Sequence, residues 1–203
     1  MLEISEKGIK LYAGDIPTNS RYTGLIGLSL NQENDTHIPC DLTNPPYPFD
    51  DNTVDFFQSE DVFEHIPYTA LPAVFDEIFR ILRPGALFRL SLPDYYCDVL
   101  YKRSVYDFNG NIVFDPLGGG TFEEPGHVWF PTFESVSKLI SSSRFEKDGH
   151  VHYLHYYVDR EQFVVKPIDY SMGYIQRTPD NDPRVSSPYR PMSLVVDLYK
   201  GMA

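Results

Sequence analysis

The chain has 203 residues and a formal net charge of −12, with 29 Asp and Glu against 17 Lys and Arg. That length suits one domain with a substantial core, and a surplus of acid with no basic cluster argues against nucleic acid as a partner. No apolar run reaches the roughly 20 residues of a membrane span, the N-terminal MLEISEKG has no signal core, and Cys40 and Cys97 fit no metal or redox spacing; a soluble, cytoplasmic protein with reduced thiols is expected.

In chain order, residues 9–12 and 24–30 are short apolar runs read as the first two strands. Residues 16–23, with Pro17 and several turn formers, join them as a loop. A parallel crossover usually needs a dozen or more residues and a helix, so the first half of the sheet is expected to be abbreviated. Residues 36–40 give a third short strand that leads into Asp41, Leu42 and Thr43, and 44–52 read as a surface turn rich in Pro, Asp and Asn.

The firmest stretch follows. Residues 54–59 are a buried strand ending before an acidic loop with Glu60 and Asp61. Leu71, Val74, Phe75, Ile78, Phe79 and Leu82 recur at the period of one helix face, with Asp76, Glu77 and Arg80 opposite. Thr69 can cap the helix, Pro72 is tolerable in its first turn, and Pro84-Gly85 ends it. Residues 86–92 are a second buried strand. Strand, helix and strand make a βαβ unit, and strands apolar on both faces fit a parallel sheet covered on both sides.

Beyond Pro93, residues 94–103 read as a short helix and 104–126 as a long loop. Gly118-Gly119-Gly120 within that loop has neither the preceding strand nor the following helix of a phosphate loop. Thr132 can cap a second amphipathic helix carrying Phe133, Val136, Leu139 and Ile140. Residues 150–158 and 162–165 are strand patterns, 178–191 a proline-rich loop, and 193–199 a closing strand. With no repeat and no linker to mark a boundary, residues 1–203 are expected to form a single domain.

Several of these segments carry a resemblance. PFDDNTVD at 48–55, VFEHI at 62–66, RILRPG at 80–85 and SLPD at 91–94 closely resemble the middle of class I S-adenosylmethionine-dependent methyltransferases, especially small members associated with glycan or cell-surface biosynthesis. Ser143-Arg144-Phe145 is similar to the end of that family's next helix. The resemblance implies an α/β, Rossmann-like, three-layer fold, with strand order 3-2-1-4-5-7-6 and the last strand antiparallel. The cofactor would lie over the carboxyl ends of the central strands, where open α/β sheets bind ligands in general. Its contacts carry over to Ala13, Gly14 and Asp15 after the first strand, Ser29 at the end of the second, Asp41 and Leu42 after the third, and Ser59 at the end of the fourth. Asp41 and Leu42 match well. The first loop keeps one expected glycine, and Asp15 brings a carboxylate towards the methionine moiety. Ser29 stands where an acid normally accepts both ribose hydroxyls, and a serine cannot make that bidentate pair.

Glu60, Asp61, Glu64 and His65 cluster where the transferred methyl would point, and His65 or Asp61 can serve as the base for a hydroxyl acceptor. The Glu-His pair can instead simply shape the turn into the helix. Asp94, Tyr95 and His127 are candidate substrate contacts, or else a turn aspartate, a packed ring and a surface histidine. His150 and His152 share one strand face while His155 takes the other, so no metal site is expected there. Asn44-Pro45-Pro46-Tyr47 repeats a motif of amino-group methyltransferases, but before the fourth strand rather than after it. The expected function is methyl transfer from S-adenosylmethionine to a small hydroxylated or saccharide-like acceptor. The alternative is a binding or scaffold protein of the same fold that has lost cofactor binding.

Overall fold

The computed structural model describes residues 8–202, so most of the N-terminal segment read above lies outside the described residues. Five parallel strands, β1 (Ile9–Ala13), β2 (Ile26–Ser29), β3 (His37–Pro39), β4 (Val54–Glu60) and β5 (Leu82–Pro93), build one side of the sheet. The short β6 (Val105–Tyr106) and β7 (Ile112–Phe114) pair separately, inside the segment expected to be a plain loop. β8 (Gly149–Tyr157), β9 (Phe163–Val165) and β10 (Ser193–Lys200) complete the sheet in the order β3-β2-β1-β4-β5-β10-β8-β9. β10 runs antiparallel between β5 and β8. The expected order is therefore present, with β9 added at the edge.

The helices are α1 (Leu71–Ile81), α2 (Asp98–Tyr101), α3 (Phe133–Ser142), α4 (Arg144–Asp148) and α5 (Pro183–Ser186). Thr132 caps α3 reciprocally with Ser135, as its sequence suggests. Three readings of α1 need correction. The helix ends at Ile81, so Leu82 and Pro84-Gly85 belong to β5 rather than to the helix and its stop. Ala70, not Thr69, precedes its first turn and makes no side-chain cap. Glu77 is buried rather than solvated, because the loop before β4 folds over it: its carboxylate accepts the Tyr47 N–H at 2.6 Å and is held by Arg80.

The core lies between α1 and the central strands. Phe75 meets Phe63, Phe88 and Phe145 edge-on or tilted, at centroid distances of 5.6–6.3 Å, geometry that adds to the gain from burying each ring. On β5, Arg89 is fully buried and pairs with Asp197 of β10 through two bonds of 2.7 Å. A buried guanidinium needs partners for its donors, and Arg89 gives two more hydrogen bonds to the carbonyls of Asp169 and Gly173. Gln58 on β4 donates to the Tyr174 carbonyl at 2.6 Å. These bonds tie residues 169–174 to the sheet and deliver the next residues, Gln176 and Arg177, to its carboxyl edge.

Candidate active site

Two adjoining cavities open at the carboxyl ends of β1, β2 and β4. The first, about 430 Å³, is mainly apolar and lined by Leu28, Leu42, Val62 and Ile66, with Gly14, Asp15, Asp41 and His65 also on its wall. The second, about 450 Å³, is mainly polar and is lined by Tyr12, Tyr22, Glu60, Asp61, Arg177 and Arg184. Asp15 and Val62 belong to both walls. Each volume lies in the roughly 300–1,000 Å³ range of small-molecule sites.

The loop between β1 and β2 contains one 3-10 turn, Ser20–Tyr22, and no crossover helix. Its backbone is pinned by the Ile16 N–H, which donates to His37 Nε2 at 3.1 Å. Gly14 sits at φ +79°, and a Cβ there would approach Val62 Cγ2 to 3.3 Å, so the glycine keeps the floor between the cavities clear. Ser29 Oγ accepts the N–H groups of Asn31 and Gln32 and donates its proton to the Asp15 carboxylate. Its hydroxyl is fully engaged, and Ser29, Ala13 and Ser59 line neither of these two cavities. Gly14, Asp15, Asp41 and Leu42 do. One Asp41 oxygen accepts the N–H and the hydroxyl of Thr43, while the other has no partner among the described residues.

β4 extends one residue beyond its apolar pattern, which places Glu60 on the sheet rather than in the loop. Its two oxygens accept from Tyr22 Oη at 2.5 Å and the Gln176 N–H at 2.6 Å. Burial pushes its carboxyl up to about 7, against the restraining effect of those hydrogen bonds. Asp61 adopts φ +55°, a left-handed turn that aspartate tolerates better than most residues. It pairs with Arg177 Nε at 3.0 Å, and burial raises its carboxyl despite that guanidinium.

His65 lies on the 3-10 turn Phe63–His65 and is exposed. A strap closes over this turn: Nδ1 of His65 bonds the Gly126 carbonyl at 2.9 Å, the Val128 N–H bonds the Glu64 carbonyl at 2.9 Å, and Trp129 Nε1 donates to the Phe63 carbonyl at 2.9 Å. The strap inserts His127 beside Glu64. Both are buried, and burial keeps Glu64 well above and His127 below its usual range, the latter at about 4.

Asp94 and Tyr95, expected as substrate contacts, line neither of these two cavities. Asp94 is turned inwards, accepting the N–H groups of Tyr157 and Tyr96, and burial lifts it to about 7. Tyr95 is buried against His127 and Asp115, and His127 is a buried part of the strap rather than a surface group over a cavity. His150 and His152 are exposed on β8, whereas His155 is buried with Nε2 facing the Lys166 carbonyl. Sequence reasoning missed Tyr22, Glu60 as a sheet residue, Arg177 and Arg184. Three arginines, Arg177, Arg184 and Arg190, between β9 and the closing strand of so acidic a chain were the available signal.

The family model described as Methyltransferase domain matches residues 4–105. The chain belongs to this methyltransferase family. Its fold is that of S-adenosylmethionine-dependent methyltransferases. A Methanosarcina mazei member is 16% identical at a TM-score of 0.52, over 98% of this chain and 95% of that one. A candidate S-adenosylmethionine-dependent methyltransferase of Listeria monocytogenes is 11% identical at 0.53, over 95% and 90%. No curated protein matches the chain.

S-adenosylmethionine is the cofactor of the family, and the methyltransferase's apolar cavity fits it. Leu42, Ile66 and Val62 offer an apolar slot, Asp41 has an acceptor to spare, and Gly14 allows close approach to the backbone.

Proposed function

We propose that this methyltransferase transfers a methyl group from S-adenosylmethionine to a small, polar, hydroxylated acceptor of saccharide-like chemistry, with Glu60 as the general base. The observation that carries the proposal is Glu60: a buried carboxyl near neutrality, on the wall of a polar cavity that adjoins the apolar one. Catalytic bases work best with a pKa near the operating pH.

In this reading, Leu42 and Asp41 hold the adenine end of the cofactor and Gly14 lets the chain approach. Asp15 takes the place of the acid absent from the end of β2. Ser29 holds the Asp15 carboxylate by a hydrogen bond, so the negative charge reaches the same region from the preceding loop. The carboxylate that looks disruptive in sequence thus becomes an acceptor for the cofactor's hydroxyl or amino groups. The cofactor supplies an electrophilic methyl on sulfonium. Glu60 takes the acceptor's hydroxyl proton, while Tyr12, Tyr22, Arg177 and Arg184 orient a polar molecule. Asp61 is held by the Arg177 guanidinium, a charged partner that Glu60 lacks, and His65 lines the apolar cavity rather than the polar one, which leaves Glu60 the better base.

A second reading, a scaffold without competent cofactor binding, rests on Ala13 and Ser29 standing outside the cavity. Calorimetry and thermal shift with S-adenosylmethionine and S-adenosylhomocysteine separate the two. At a hundred times its dissociation constant either ligand should stabilise the protein by about 2.7 kcal/mol. Asp15→Asn should weaken binding about tenfold or more, the worth of one charge-assisted bond. No response to either ligand at millimolar concentration would leave only the scaffold.

A further inference from the structure

Glu64 and His65 are neighbours on the turn after β4, and the strap brings His127 to them from 62 residues away. One ligand atom from each lies within 4.8 Å of the others, and Glu64 Oε1 is 3.6 Å from His127 Nε2. Donors held about 2.0–2.1 Å from a tetrahedral zinc ion stand roughly 3.3 Å apart. The buried pair is thus near liganded spacing, and exposed His65 has freedom to close the rest.

The outer contacts fix both imidazoles in the tautomer that a metal requires. The Gly126 carbonyl can only accept, so Nδ1 of His65 carries the proton and Nε2 is a free donor of electrons. Asp115 is tied to Arg103 at 2.6 Å; desolvation alone would raise it, but the bonds from Arg103 and Tyr95 hold it below the usual range, ionised. Tyr95 Oη therefore gives its proton to Asp115, at 2.6 Å, and accepts the Nδ1 proton of His127. Ligating histidines characteristically give their second ring proton to such outer partners.

An independent observation points to the same occupant. Glu64 is fully buried, yet neither carboxylate oxygen has a hydrogen-bond partner among the described residues. Burying a carboxyl without donors is costly, and a cation is the partner that two adjacent imidazole nitrogens can share with it.

We propose that Glu64, His65 and His127 form a three-ligand site for a divalent cation of the zinc class. Two imidazoles and one carboxylate leave a fourth coordination position open. His65 also lines the apolar cavity, so the ion would sit at that cavity's wall. The proposal is independent of methyl transfer, because it rests on the ligand geometry and on the unpartnered carboxylate of Glu64.

The full chain, stripped with a chelator, should be titrated with Zn²⁺ against a chromophoric competitor and with Co²⁺ by visible absorption. The expected result is one equivalent bound, cobalt bands of low-coordinate geometry, and a Zn²⁺-dependent rise in melting temperature. Glu64→Gln and His127→Asn should each weaken binding roughly tenfold or more. His65→Asn, at an exposed position, should do the same with the fold intact by near-ultraviolet circular dichroism. A His150→Asn/His152→Asn double variant, which removes the exposed histidines of β8, should bind like the parent. Absence of a stoichiometric site at micromolar metal, or binding that survives His65→Asn or disappears in the β8 variant, would overturn the proposal.

Discussion

The carboxyl of Glu60 is held by its strand, by Tyr22 and by the Gln176 N–H, and its environment keeps the proton near pH 7. Glu60→Gln preserves shape and removes the base, so kcat should fall by roughly 10²–10⁴-fold. In the parent, kcat/KM should rise with pH through an inflection near 7, which Glu60→Gln should abolish. Because the Tyr22 hydrogen bond lowers the Glu60 pKa, Tyr22→Phe should move that inflection upward while leaving the base in place. An unmoved profile in both variants would assign the proton to another group. Asp15 shows what was illegible at this scale. Read alone it is an extra charge in a glycine loop, and only the fold shows that Ser29, fourteen residues later, donates a hydrogen bond to its carboxylate.

At the scale of elements, α1 and its flanking strands were legible because periodicity and unbroken apolar strands give the same answer, although the helix ends at Ile81 and Pro84-Gly85 lie within β5. The failures fall where a loop overrides a local rule. Glu77 lies on the polar side of α1, but the chain before β4 covers it, so the pattern could not reveal its burial. Its partners make a prediction. Glu77→Ala leaves the Tyr47 N–H and the Arg80 guanidinium without their acceptor and should cost about 2 kcal/mol in urea denaturation, in the range of hydrogen bonds to charged groups. Arg80 and the Tyr47 N–H hold Glu77 below its usual range, so this stabilisation is present above the unfolded pKa and fades as pH falls through the folded one. The cost of Glu77→Ala should therefore shrink in acid. The strap was hidden for a related reason. Three bonds across more than sixty residues set the position of His127, and nothing local to Gly126 or Trp129 announces them.

Over the whole molecule, two sets of carboxyls push stability in opposite directions with pH. Glu77, Asp98, Asp115 and Asp182 are held low by arginine partners, each against the opposing effect of burial, which is strongest at Asp115; their contribution is complete above the unfolded carboxyl range and is lost only in acid. Glu60 and Asp94 behave in reverse. Burial raises them from 4.5 and 3.8 to about 7, so between those limits the folded state binds more protons than the unfolded one. Their contribution is complete below the unfolded pKa and is lost as pH rises through 7. One pKa unit corresponds to about 1.4 kcal/mol, which puts the combined loss on the order of a few kcal/mol. Repulsion within a chain of net charge −12 acts in the same sense. His127 and His155, held below the usual imidazole range by burial, cost stability as pH falls below about 6.5, so stability should peak in mildly acidic solution, near pH 6, and decline towards pH 8. Asp94→Asn, which removes a titrating group that lines neither cavity, should flatten that decline in denaturant titrations at a series of pH values. A stability that instead climbs steadily from pH 5 to 8 would mean that these carboxyls are ionised in the folded protein throughout. The same proton that stabilises the fold must leave Glu60 before it can act as a base, so the pH range of greatest activity should lie above that of greatest stability.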